Sequence, residues 1–102
     1  MRPEIVNIPV PDTDATDGDE QTVFQLWDKS LQVYEDGGGA LECDLELQAT
    51  LDGNAWETVK QINGPLLSAL PGTHKSFRVK RNTVASGTPR VVVAGFDART
   101  DV

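Results

Sequence analysis

His74 is the only histidine of the chain and Cys43 its only cysteine, so the residue types that usually carry catalysis are nearly absent. A His-paired nucleophile or a multi-histidine metal site has a single candidate. His74 lies between Thr73 and Lys75 with no patterned partner, and reads as an ordinary surface histidine. Cys43 falls on the apolar side of an alternating run, where a thiol acts as a small hydrophobe. Apolar surroundings raise its pKa and withhold the thiolate. One cysteine permits no internal disulfide. The run Gly37-Gly38-Gly39 lacks the lysine of a P-loop, the dinucleotide fingerprint and a following helix, and reads as a flexible strand connection. Asp12, Asp14, Asp17, Asp19 and Glu20 offer hard oxygens suited to calcium, but the glycine and distal glutamate of an EF-hand loop are not at their places. They read as a solvated acidic linker. No catalytic, cofactor-binding or metal-binding residue is assigned, and no enzyme is expected.

Charge is the stronger signal. The net charge of −7 conceals a polarised chain. Residues 1–57 hold fourteen acids against Arg2 and Lys29, and residues 58–102 hold seven bases against Asp97 and Asp101. Such a distribution suits either acidic and basic strands side by side in one subunit or oriented attraction between subunits. The bases Lys75, Arg78, Lys80, Arg81 and Arg90 are the nearest approach to a nucleic-acid footprint. The acidic balance, and the want of a clearly exposed aromatic among them to stack bases, argue against that partner. Glu42, Asp44 and Glu46 on one strand, and Arg78, Lys80 and Arg81 on another, share a period of two and are candidate partner-binding residues. No apolar run approaches membrane-spanning length, and the first twenty residues lack the apolar core of a signal peptide, so a cytoplasmic origin and no membrane partner are expected.

The elements that must position these side chains are strands. Leu41, Cys43, Leu45, Leu47, Ala49 and Leu51 alternate with Glu42, Asp44, Glu46, Gln48 and Thr50. A helix would scatter those apolar residues, whereas a half-buried strand collects them on one face. Residues 55–62 read as the return strand, after a type I′ turn at Asp52-Gly53. An even loop would place Trp56, Thr58 and Ile62 on the inner face with Leu47 and Leu51, with Trp56 as a core anchor. That choice buries the larger apolar set. Further strands are expected at 22–27, 31–35, 76–81 and 91–96, a short strand or turn at 82–90, and a long connection over 63–75. The run VVVAGF at 91–96 has the continuous apolar character of a buried strand. Residues 1–20 form an extended arm or edge strand, Pro-flanked, with Val6, Ile8 and Val10 as candidate partner-binding residues. Residues 21–102 form the domain, an all-β antiparallel sandwich or jelly-roll-like fold.

The stretch LELQATLDGNAWETVKQI carries Thr50, Asp52, Gly53 and Trp56 in a Ser/Thr-x-Asp-Gly-x-x-Trp hairpin. It resembles hairpins of discoidin-type carbohydrate- and lipid-binding sandwiches, and those of small β-sandwich accessory proteins of tailed-phage virions. Arg81 to Val93, ending SGTPRVVV, is similar to a companion segment of the latter. The virion resemblance implies a capsid-decoration, head–tail or fibre accessory subunit, assembled in a host cytoplasm. Such a subunit forms a homo-oligomer and contacts the major capsid or other virion proteins. The other resemblance implies a carbohydrate- or small-ligand-binding module reading its ligand through exposed Trp27, Tyr34 or Trp56. An enzyme or inhibitor subunit without a readable site is the third possibility.

Overall fold

A computed structural model describes residues 2–97. Among them there is no helix; nine strands form two antiparallel sheets. The strands are β1 (Arg2–Ile8), β2 (Thr16–Asp17), β3 (Gln21–Thr22), β4 (Leu26–Glu35), β5 (Glu42–Thr50), β6 (Glu57–Ile62), β7 (Leu66–Ala69), β8 (Ser76–Ser86) and β9 (Pro89–Asp97). One sheet has the order β1-β9-β4-β7, and the other β2-β8-β5-β6 with β3 also on β8. The expected all-β sandwich is the fold of the chain.

The topology has a simple origin. The β5–β6 hairpin is its pivot. Outward from it the chain pairs with itself in nested, antiparallel couples: β4 with β7, β3 and β2 with β8, β1 with β9. Counting β2 and β3 as one interrupted strand, this doubled-over hairpin is an eight-stranded jelly roll. The pairs β4–β9 and β5–β8 close it into two sheets.

Period-two patterning supplies the core. Leu45, Leu47 and Ala49 of β5, Ile62 of β6 and Phe77 and Val79 of β8 face Ile8, Leu26, Leu31, Val33, Val91 and Val93 of the other sheet. Each of these side chains except Ala49 contributes roughly 1.5–3 kcal/mol by leaving water.

Several local expectations are corrected. Residues 22–27 are not one strand: the chain leaves β3, turns at Phe24-Gln25, and crosses to the opposite sheet as β4. The connection expected over 63–75 contains β7, whose short length hid it. β8 runs unbroken to Ser86, and the turn follows at Gly87. The turn after β5 is not type I′, because only Gly53 (φ 87°), and not Asp52, has positive φ. Leu51, expected inside, is largely exposed on that loop.

The largest correction concerns Trp56 and Thr58. The β5–β6 register slips between Leu47 and Gln48, where Val59 is the extra residue of a bulge. A bulge reverses which side chains face inward on its two sides. Ile62 is therefore buried as expected, while the Thr58 hydroxyl donates to Glu46 on the outer face. Trp56 is half-buried under Arg78 on that outer face and is no core anchor.

Candidate functional site

The charged strands come together on the outer face of the β8–β5 sheet. In register, Glu46 lies opposite Lys80 and Gln48 opposite Arg78. The Glu46 carboxylate accepts from Asn82 Nδ2 (2.9 Å) and Thr58 Oγ1 (2.7 Å). Those bonds, helped by the Lys80 charge, hold its pKa below the ordinary carboxylate value. Asp44 accepts from Gln61 and Asn82. Arg78 donates Nε to Gln48 (2.8 Å), reaches Asp17 at 3.5 Å, and lies 4.3 Å from the Trp56 ring centroid. Arg81 donates Nε to Asp14 (2.7 Å) and Nη1 to the Pro11 carbonyl (3.0 Å). Glu42 is exposed opposite Ser86. The β5 carboxylates are thus held mainly by neutral donors, while Arg78 and Arg81 pair with Asp17 and Asp14 of the N-terminal segment. Asn82, which bridges Asp44 and Glu46, bears no charge and gave no sequence signal.

The acidic segment docks on the same basic strand. Asp14 and Asp17 meet the arginines of β8, and the Gly18 N–H donates to the Val79 carbonyl (2.7 Å). Along β1, Val6 and Ile8 lie opposite Val93 and Val91, and with Val10 they pack on the chain's own core. They can serve another subunit only if the strand is exchanged as a whole. Among the described residues no group of three His, Cys, Asp or Glu side chains could hold a metal ion.

The outer face of the other sheet was not foreseen, and its composition is different. Pro3, Ile5 and Asn7 of β1 point outward beside Val92, Ala94 and Phe96 of β9, then Trp27, Ser30, Gln32 and Tyr34 of β4, with Leu67 on β7. Ile5 is 69% exposed, Leu67 76%, Trp27 55%, Phe96 43% and Tyr34 39%. Among the described residues charge is confined to the rim, with Asp28 near Trp27 and the Arg90–Asp36 pair (3.1 Å) at the opposite end. The available signal was VVVAGF: the structure covers only one side of a strand whose sequence is apolar on both.

Beside Trp27 a groove of about 650 Å³ runs between Phe24 and the segment Ala69 to Thr73. A bulge in β4 between Trp27 and Ser30, with Asp28 at φ 52°, turns Lys29 inward to 5% exposure. Its amine donates to the carbonyls of Gly72 (2.8 Å) and Leu26 (3.4 Å), and burial lowers its pKa. His74 packs on Phe77 at 4.8 Å with its Nδ1 buried and unbonded. Burial, and secondarily the Lys29 charge, push its pKa down. Cys43 is half-buried, 3.9 Å from the Ile62 carbonyl, and burial pushes its thiol up. Neither is placed as a nucleophile or a base beside one.

The motif residues of the hairpin build its loop. Thr50 Oγ1 accepts from the Gly53 N–H (2.9 Å) and donates to Asp52, whose Oδ1 accepts from the N–H groups of Asn54 (2.8 Å) and Ala55 (2.9 Å). Glu35 ties down the glycine run, accepting from the N–H groups of Gly37 (2.8 Å) and Gly39 (2.9 Å), and reaches Thr88 across the barrel end. Comparisons with protein-family models, with curated proteins and with solved structures each found nothing that matches this chain.

Proposed function

We propose that this protein is a non-enzymatic structural subunit of a phage-like particle, a capsid-decoration or head–tail accessory protein that acts through protein–protein contact. The observation that carries this reading is the outer face of the β1-β9-β4-β7 sheet, with exposed Ile5, Trp27, Leu67 and Phe96 and charge only at its rim. Contiguous exposed apolar surface of this kind marks an interaction site. The jelly-roll topology is common to viral capsid and lectin domains, an analogy of fold that supports the reading without assigning it. Mass spectrometry of gradient-purified particles tests it. A fixed ratio of this protein to the major capsid protein is expected, and confinement to the soluble fraction would overturn it.

A second reading draws on the groove beside Trp27. Exposed Trp27 and Phe24 at its mouth, with the buried Lys29 amine in its wall, suit a carbohydrate- or small-ligand-binding module. Glycan-array binding lost on Trp27→Ala, with the melting curve retained, would favour this reading over the first.

A further inference from the structure

We infer that the apolar sheet face is covered by a second copy of this chain, the two β1-β9-β4-β7 sheets packing face to face about a two-fold axis parallel to the strands. The inference rests on the structural-subunit reading and names the occupant of its surface. Three observations point to a copy.

The first is sequence against exposure. Val91 to Phe96 of β9 is apolar on both faces, as in a strand covered on both, yet the subunit covers only Val91, Val93 and Gly95. Val92, Ala94 and Phe96 face outward, at the middle of the sheet rather than at its edge.

The second is area. Ile5, Trp27, Tyr34, Leu67 and Phe96 leave roughly 500 Å² exposed, taking aromatic side chains at about 150–250 Å² each. With Pro3, Gln32, Val92 and Ala94 between them, the face approaches the ~800 Å² per partner of a standard stable interface.

The third is charge. A subunit of net charge −7 repels its copy unless the two meet where acids are scarce. Asp14, Asp17, Asp44, Glu46 and Glu57 lie on or against the opposite sheet. On the apolar face Asp28 stands at the rim with no ion pair among the described residues, while the Arg90–Asp36 pair at the other end is neutral as a unit.

The axis follows from the rows across the sheet. Pro3, Phe96 and Trp27 share one row, and Ile5, Ala94, Ser30 and Ala69 the next. Rotation about an axis along the strands lays β9 over the partner's β4 and β1 over the partner's β7. Trp27 then meets the partner subunit's Phe96, and Ile5 meets the partner subunit's Ala69, large against small. Aligned sheets pack about 10 Å apart in this way.

Sedimentation velocity of the full chain, from low to high micromolar concentration, tests the inference. A dimer is expected, with Ile5→Lys and Leu67→Lys each raising its Kd about tenfold or more. Leu51→Lys, equally exposed but off the face, should leave Kd unchanged. In a Trp56→Phe background the emission of Trp27 should shift to the blue as the dimer forms. Circular dichroism melts establish that each variant is folded, which the outward placement of Ile5 and Leu67 favours. A dimer that persists in both lysine variants overturns the inference. So does a wild-type monomer at every concentration, and particle incorporation then separates the two readings. If Ile5→Lys abolishes incorporation, the face binds another particle protein and the structural-subunit reading stands. If the variant is incorporated like the wild type, the structural-subunit reading stands and only the role of this face falls; if the wild type itself stays in the soluble fraction, both readings fall.

Discussion

Arg78 gathers three interactions on one guanidinium: Gln48, Asp17 and the face of Trp56. The alternation of SFRVKR places it outward, but only the bulge at Val59 brings Trp56 to the same side. Arg78→Ala should cost about 1–2 kcal/mol in a urea titration, from one cation–π contact and one side-chain hydrogen bond. Arg78→Lys should recover less than half, because an ammonium cannot present the planar fork. His74 gives a pH signature. Its folded pKa lies below the ordinary 6.5, so the unfolded chain binds the proton more readily. Its stability contribution is full above 6.5 and is lost as pH falls toward the folded value. His74→Phe, which keeps the stacking on Phe77, should flatten that part of the stability–pH curve. The hydrogen-bonded carboxylates Glu35, Asp36, Glu46 and Asp52 have depressed values and act lower. Their contribution is present above the ordinary 3.8–4.5 and is lost as pH falls through the folded values, so acid unfolding should survive the His74 substitution.

At the scale of elements, the strands legible in the sequence were those with one polar and one apolar side, and the continuous apolar run at 91–96, which is part of β9. Residues 41–51 and 76–81 are of the first kind, and β5 and the first part of β8 lie there. β7 was not legible, because four residues carry too little alternation to separate a strand from a loop. The bulges were not legible either, since an extra residue leaves composition unchanged while inverting every face beyond it. Gly95 is the one residue that marks the bulge in β4. A methyl group there would lie 2.7 Å from the Trp27 carbonyl oxygen and 3.2 Å from Leu26 Cβ. Both atoms are held by the sheet, so Gly95→Ala should destabilise by about 2 kcal/mol or more, as a shift in the thermal midpoint. Because Trp27 lies on that bulge, its emission should change in the same variant, even below the unfolding transition.

For the molecule as a whole, the nested pairing makes the two ends of the chain mutually dependent. β1 pairs with β9 along its whole length, and Ile8 is buried against Val91. Deleting residues 2–20 therefore strips the edge of one sheet and β2 from the other. Loss of Ile8 alone removes roughly 1.5–3 kcal/mol. The expected outcome is a product without a cooperative melt, whereas an independent appendage would leave the transition of the remainder unchanged. Pairing over such sequence separations also requires costly loop closure, and refolding on the slow, millisecond-to-second side is expected in stopped-flow fluorescence.

From its sequence alone the chain was legible as an all-β sandwich or jelly-roll-like fold with few catalytic residue types and with acidic and basic residues segregated along its length. These follow from composition and from the period of two, which sorts the side chains of each strand into two sets. Which set meets the other sheet, and which meets solvent or a neighbour, was decided only by the tertiary structure. Trp56, which reads as a core anchor, lies outside for that reason, and so does Trp27. Local pattern records that two faces exist, and only the register, the bulges and the crossing of the chain between sheets say what covers each.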